Sequence, residues 1–292
     1  MIVVFGSINA DLIFKLDQIP LPGQTLIANG LTVQPGGKGA NQAVAAARDG
    51  AAVRMVGAVG DDALAKAALT GLEGEAIGLE VCVLAGRSTG CASICTDRDG
   101  RNQIAVALGA NAEIRAAQVS DAMLGRDSIL LLQMEGPRAE IEALIGRARQ
   151  AGARIILNLA PALPLDRAAL AKLDVLVVNE DEAASLGATL GVGAGAEALR
   201  GALGITVIRT LGGGGAEAAT ADGPLHVAAP RIDAVDTTAA GDCFVGVLAS
   251  GLDAGLELSA AMRRAVVAAS LACLTEGSQT SLPRRADTDA AA

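Results

Sequence analysis

The run Asp236-Thr237-Thr238-Ala239-Ala240-Gly241-Asp242 lies between the alternating stretch Arg231 to Val235 and the small-residue apolar stretch Cys243 to Ser250. The first reads as a strand end and the second as a helix, so the run marks a strand-to-helix junction of an α/β fold. A helix N-terminus carries unpaired N–H groups and the positive end of the macrodipole, and both favour an anion. Ala239, Ala240 and Gly241 have almost no side chain, which lets a phosphoryl group approach the main chain. Asp242 falls in the first turn beside that anion. A carboxylate there can accept the proton of an attacking hydroxyl while the amides stabilise the transferring group. A second reading stands beside it: an acidic residue that complements the dipole, next to a close-packed Ala/Gly run.

Composition narrows the classes. The 292 residues are 51% hydrophobic with three Phe and no Trp or Tyr, so the core is aliphatic and Ala-rich. That length suits a single α/β domain. The 32 acidic against 23 basic residues give a net charge of −9, which argues against nucleic acid or an anionic membrane as partner. Cys82, Cys91, Cys95, Cys243 and Cys273 are too irregularly spaced for a disulfide framework or a zinc site. They read as core or lid thiols in a reducing, cytoplasmic compartment. No basic leader precedes the strand-like Met1 to Phe5, and no apolar run has the length of a membrane span. The lone His226 sits in a polar hairpin region, which argues against a Ser/His or Cys/His hydrolase.

From the N-terminus, Ile2 to Phe5 reads as a buried parallel strand ending at Gly6. No helix follows. Leu12 to Leu16 alternates, Pro20 and Pro22-Gly23 mark a turn, and Thr25 to Gln34 is extended, so two strands project beside the main sheet. Asn9 and Asp11 stand at their base, at the carboxyl end of the first strand, where open α/β sheets bind ligands. Next comes Gly36-Gly37-Lys38-Gly39-Ala40-Asn41-Gln42, leading into the helical Ala43 to Arg48. It is not a Walker A loop, because the spacing before Lys38 differs and no Ser or Thr follows. Taken alone it reads first as a Gly-rich helix start with a solvated Lys.

The middle of the chain alternates strands and helices. Val53 to Val59 is followed by a helix opened by Asp61-Asp62 and running to about Leu72. Thr89 to Thr96 and Asn102 to Ala107 flank the turn Asp97-Arg98-Asp99-Gly100 and read as a hairpin completing a four-stranded lid. Ser128 to Met134 is an apolar strand that delivers Glu135 at its carboxyl end, with a helix after Pro137. Arg154 to Leu159, Val175 to Val178 and Ile205 to Thr210 are further strands. Ala216 to Ala228 is a hairpin, and Leu256 to Thr275 a closing helix. The pattern predicts a doubly wound, mostly parallel sheet with helices on both faces, plus a small β-sheet lid. The expected domain spans residues 1–285, the lid comes from about 9–35 and 89–108, and 286–292 form a loose tail.

Asn9-Ala10-Asp11, the Gly-Gly-Lys-Gly-Ala-Asn run and the Asp-Thr-Thr-Ala-Ala-Gly-Asp run, in this order and at these separations, resemble the ribokinases within the PfkB family of carbohydrate kinases. The resemblance extends from Val3 to Pro283. It implies that Asn9, Asp11, Gly37, Lys38, Asn41 and Glu135 hold a sugar, which offers donors and acceptors that carboxylates and amides can match. It further implies that Asp242 is the general base and that Ala239, Ala240 and Gly241 form the anion hole for MgATP. Asn179, Glu182, Thr210 and Gly212 match nucleotide-side positions of the family; read alone, Asn179 to Glu182 is an acidic helix cap. A monovalent cation, K⁺, is implied at Asp236, Ser281 and the carbonyls of Thr238, Ala272, Thr275 and Gly277. Two positions depart from the family: Val266, where many relatives carry a polar residue near adenine, and Thr275-Glu276, where some carry a basic pair.

The implied activity is ATP-dependent phosphorylation of the 5-hydroxyl of ribose in the presence of Mg²⁺. Kinases of other sugars such as deoxyribose, or of nucleosides, are the alternative within the family. A catalytically silent sugar- or nucleotide-binding protein is the alternative outside it. An uncovered sheet face in the lid predicts a homodimer through the lids.

Overall fold

The protein is described by a computed structural model over residues 1–98 and 101–291. Asp99 and Gly100, and with them the turn expected at Asp97 to Gly100, lie outside the described residues. Strand β1 is Ile2–Phe5; β2, Asn9–Lys15, and β3, Gly30–Gly36, follow before helix α1, Lys38–Arg48. Then come β4 (Val53–Gly60), α2 (Ala63–Glu73), β5 (Ile77–Leu84), β6 (Gly90–Thr96) and β7 (Asn102–Ala107). The middle of the chain forms β8 (Ile129–Leu132), α3 (Arg138–Ala151), β9 (Arg154–Asn158), α4 (Arg167–Leu170), β10 (Val175–Val178) and α5 (Glu180–Leu190). The last part forms α6 (Ala196–Leu203), β11 (Thr206–Thr210), β12 (Ala216–Thr220), β13 (Gly223–Val227), α7 (Ala240–Asp253), α8 (Leu258–Ala272) and α9 (Arg285–Ala291).

Two sheets result. The larger has the order β13-β12-β11-β10-β9-β8-β1-β4-β5, parallel except at β12 and β13. β1 sits between β8 and β4 and pairs in parallel with both, so the strand order switches direction there. Ligand crevices form at the carboxyl ends of strands beside such a switch. Side chains alternate across the sheet: Ile2 and Val4 pack with Val44, Leu248 and Met262, whereas Val3 and Phe5 pack with Leu144, Ile145 and Leu199. Helices therefore cover both faces, as the strand and helix pattern predicts. Gly246 in α7 allows the closest helix contact, since a Cβ there would lie 2.5 Å from the Gln42 carbonyl oxygen of α1. The small residues that empty the sequence of aromatics thus bring α1 and α7 together at their N-terminal ends.

The smaller sheet has the order β3-β2-β6-β7. Its register places Leu12, Phe14, Leu31 and Val33 on one face and Asp11, Ile13, Thr32, Gln34 and Ile94 on the other. The second set lines a cleft beneath the sheet. On the first, Leu31 is 56% and Val33 43% exposed.

Several elements differ from the sequence reading. Arg231 to Val235 is an exposed loop, not a strand end; the N–H groups of Val235 and Asp236 instead donate to the Cys273 carbonyl at the end of α8. Residues 25–29 are irregular, and β3 begins only at Gly30. Strand β5, read over in the sequence because Gly78 and Glu80 interrupt its apolar pattern, is an edge strand, and it leaves Cys82 exposed on neither core nor lid. The expected loose tail is helix α9: the Arg284 N–H bonds Asp287 Oδ2 at 2.9 Å, Arg264 pairs with Asp289, and Thr288 is buried. A position at the chain end suggested a loose tail, but Arg264 on α8 holds Asp289 in place. Among the described residues no helix is long and apolar enough to cross a membrane.

Candidate active site

The Gly-rich starts of α1 and α7 meet at one cavity of about 230 Å³, bordered by Lys38, Asn179, Glu182, Thr210, Gly241 and Asp242. Beside it, a cleft of about 870 Å³ opens under the smaller sheet, with Asp11 on its roof and Asp236, Thr238 and Gly277 on its floor. Ala239 enters α7 at φ 59° and ψ 7°, the one positive φ outside glycine among the described residues. A Cβ in this left-handed conformation costs roughly 1 kcal/mol, and strain of this kind concentrates at functional sites. The N–H groups of Ala239 and Gly241 meet no acceptor among the described residues, whereas Ala240 donates to the Thr237 carbonyl at 3.3 Å. Of the three small residues read as an anion hole, two therefore present free amides.

The Asp242 carboxylate is 7% exposed and held on both oxygens. Asn41 Nδ2 donates to Oδ2 at 2.9 Å and Gln42 Nε2 to Oδ1 at 3.0 Å. Glu135 lies at the far side of the α1 start, where its Oε2 accepts from Ser7 Oγ at 2.6 Å and from the Lys38 N–H at 3.2 Å. Asn9 is fixed by Asn111, whose Nδ2 donates to Asn9 Oδ1 at 2.8 Å. Asn111 also pairs with both backbone groups of Ile8, which ties the root of β2 to the segment after β7.

Charge is concentrated here. Burial, followed by the charges of Glu135 and Asp242, pushes the Asp11 carboxyl up to about 7, with Lys38 opposing. The Lys38 ammonium is held above its ordinary range, chiefly by Asp242 against the cost of burial, with Glu135, Glu182 and Asp11 adding to it. Burial likewise raises Glu182, against the Asn179 N–H and Lys38. One lysine thus faces four carboxylates, an arrangement that keeps it charged.

Asn179 and Glu182 form a reciprocal cap on α5: Glu182 N donates to Asn179 Oδ1, and Asn179 N to Glu182 Oε2, each at 2.8 Å. The helix cap therefore uses both residues, and both border the cavity. Thr210 closes the cavity from the end of β11, but Gly212 stands in an exposed turn away from its lining. Val266 is buried in the core between helices.

The residues read as a cation site form a separate group. Asp236 accepts the Thr238 N–H on Oδ1 and the Gly277 N–H on Oδ2, each at 2.9 Å. Burial pushes its carboxyl up, but the bonds from Gly277 and Thr238 prevail and hold it below its ordinary range. No donor among the described residues reaches the carbonyls of Thr238, Thr275 or Gly277. An anionic carboxylate tied to two loops with free carbonyls is an all-oxygen set that suits a hard cation. Ser281 Oγ donates to the Ser278 carbonyl at 2.9 Å within the same loop, and Ala272 ends α8 just before it.

Sequence reasoning passed over Ser7, Gln42, Asn111, Gln133, Asn158 and Gln279. Three of the six announce themselves in one way. Ser7, Gln133 and Asn158 are polar residues at the carboxyl ends of apolar strands, where parallel sheets place their ligand crevice.

A model of the pfkB family carbohydrate kinases matches residues 1–285. The chain is 35% identical to a ribokinase of Schizosaccharomyces pombe, over 99% of this chain and 96% of that protein. It is also 35% identical to a deoxyribokinase of Salmonella typhimurium, over 97% of this chain and 95% of that one. The Arabidopsis thaliana ribokinase solved with ribose and ATP superposes with a TM-score of 0.87 at 29% identity, covering 99% of this chain and 97% of that one.

Proposed function

We propose that this chain, which belongs to the pfkB family of carbohydrate kinases, transfers the γ-phosphoryl group of ATP to the 5-hydroxyl of D-ribose. The observation that carries this reading is the Asp242 carboxylate, buried in the first turn of α7 beside the free amides of Ala239 and Gly241 and facing Lys38. Asn9, Asp11, Gly37, Lys38, Asn41 and Glu135 orient the sugar. Asp242 takes the proton as the O–H bond breaks, the sugar oxygen forms a bond to the γ-phosphorus, and the bond to the bridging oxygen breaks to leave ADP. The amides of Ala239 and Gly241 stabilise charge on the transferring group, and Lys38 neutralises it from the α1 side. Asn179, Glu182 and Thr210 border the cavity on the nucleotide side, with Gly212 on the adjoining turn. Mg²⁺ would supply neutralisation of the phosphates when bound, and Asp236, Ser281 and the carbonyls of Thr238, Ala272, Thr275 and Gly277 would hold K⁺, which would supply positive charge there. The smaller sheet acts as a lid that keeps water, the competing acceptor, away from the reaction.

ADP release with ribose and ATP, in potassium and then in sodium, tests the reading. Turnover that is faster in potassium is expected; absence of turnover with ribose in both salts overturns it. The equal identity to a deoxyribokinase favours 2-deoxyribose as the second candidate. A panel of both sugars compared by kcat/KM separates them, with ribose expected to lead. The lid face carrying Leu12, Phe14, Leu31 and Val33 pairs with its copy in a second chain to form a homodimer, which removes an apolar sheet face from water.

A further inference from the structure

The Asp242 carboxylate is gripped by two buried chains of amides that start on different elements. On the Oδ1 side, Gln42 Nε2 donates to Asp242 and also to Asn158 Oδ1, both at 3.0 Å, while Gln42 Oε1 accepts from Gln133 Nε2 at 2.7 Å. On the Oδ2 side, Asn41 Nδ2 donates to Asp242, and Asn41 Oδ1 accepts from Gln279 Nε2 at 3.1 Å. Chemistry sets the direction of both chains. A carboxylate only accepts, so each inner amide turns its NH₂ group toward Asp242 and its oxygen away, and each outer glutamine must answer with NH₂.

The consequence appears at the outer ends. Gln133 Oε1 and Gln279 Oε1 are buried and accept no hydrogen bond from any described residue. Each lies over a glycine: a Cβ on Gly6 would come within 2.0 Å of Gln133 Oε1, and a Cβ on Gly71 within 1.7 Å of Gln279 Oε1. A buried acceptor without a partner is a cost that packing alone does not call for. Leucine or methionine would fill either place without it. The same price twice over, at the two ends of one carboxylate's supports, points to a shared purpose.

The geometry points to Gln42, backed by Gln133, and Gln279, acting through Asn41, as positioning residues that lock the plane of the Asp242 carboxylate toward the sugar hydroxyl. They do so with neutral donors. A cationic partner in their place would hold the carboxylate just as firmly but lower its appetite for a proton. This inference rests on Asp242 being the base.

The test compares Gln42→Met, Gln133→Met, Gln279→Met and Asp242→Asn by ADP release with ribose, each checked for folding by circular dichroism. Gln42→Met is expected to lower kcat about 10²-fold while KM for both substrates stays within about threefold. Gln133→Met and Gln279→Met, one amide further out, are expected to lower kcat about tenfold with the same split. In the Asp242→Asn background, Gln42→Met is expected to change residual turnover by less than about threefold, because there is no longer a carboxylate to orient. Folded Gln42→Met and Gln133→Met enzymes with unchanged kcat overturn the positioning role, as does a loss that appears only in KM. If Gln42→Met does not fold, the two outer variants decide by the same split. Should Asp242→Asn retain wild-type kcat, it is the base assignment that fails, and the positioning role falls with it.

Discussion

The two sheets of this protein face opposite physical situations. In the nine-stranded sheet β1, β8 and β10 are buried along their whole length, whereas in the four-stranded sheet β7 is exposed at every residue. The contrast explains where the site's parts reside. Asp242, Asn41 and Gln42 sit on helices clamped to the buried sheet, where a carboxylate can be held to fractions of an ångström. Asn9 and Asp11 sit on β2, which starts inside the core and ends in solvent at Lys15. The buried supports of Asp242 are thus on the rigid sheet, whereas the proposed sugar residues come from both, with Asn9 and Asp11 at the root of the exposed sheet and Lys38, Asn41 and Glu135 on the rigid side.

Perturbing each side measures the contrast. The largest effect is expected on the rigid side, where Asp242→Asn should lower kcat by about 10³-fold without loss of fold, as read by ADP release and thermal melting. On the lid, Leu31→Lys combined with Val33→Lys should convert dimer to monomer in sedimentation at micromolar protein, with melting of the main domain little changed. A monomeric wild type would remove the pairing of lids.

At the junction of the two, Asp11→Asn should trade binding for stability. The folded protein holds the Asp11 proton up to about 7, while an unfolded Asp releases it near about 3.9. The native state therefore binds more protons between those values, and the stability that Asp11 contributes below the window is lost as pH rises through it. Asn does not titrate, so the variant should be more stable by about 2 kcal/mol at about pH 8 and indistinguishable at about pH 3, with KM for ribose raised at least about tenfold. Equal melting temperatures at both pH values would contradict the raised carboxyl. The smallest effect belongs to Lys15, whose ammonium meets Glu276 at 3.0 Å across the cleft with both side chains more than half exposed. Lys15→Ala should cost under about 1 kcal/mol and vanish in high salt, because a solvated pair is screened.

The readable and unreadable parts of the chain divide along similar lines. β1, β8 and β10 are short apolar runs ended by Gly or a polar residue, and such runs have few other interpretations. Asp62 before α2 and Pro137 before α3 mark those helix starts by local chemistry. Strand β5 was missed because its neighbour β4 pairs with it along one side while the other stays exposed, so its residues need no apolar pattern. The 231–235 segment alternates like a strand, yet its backbone pairs with Cys273, some forty positions on, which no local pattern reports. The tail became a helix through the Arg264–Asp289 ion pair, which ties it to α8, and through the Arg284 N–H that bonds the Asp287 carboxylate at its start.

At the site the division is sharper. Asp242 was legible as a candidate because a helix start with small residues next to a carboxylate has a definite chemistry, whereas Lys38, Asn41 and Glu135 stood out only through the family resemblance of the motifs that carry them. Gln42, Gln133 and Gln279 were not legible, because an amide in a sequence is neutral, common and silent about its partner. Sequence alone determined the alternation of strands and helices, the small residues at two helix starts and the identity of the acid beside them, all properties of neighbours along the chain. Tertiary structure alone decided that the two helix starts face one cavity, that Asp11 is buried among other carboxylates, and which amides grip Asp242. Those are encounters between residues more than a hundred positions apart, and only the packing of α1 against α7 on a common sheet brings them within hydrogen-bond reach.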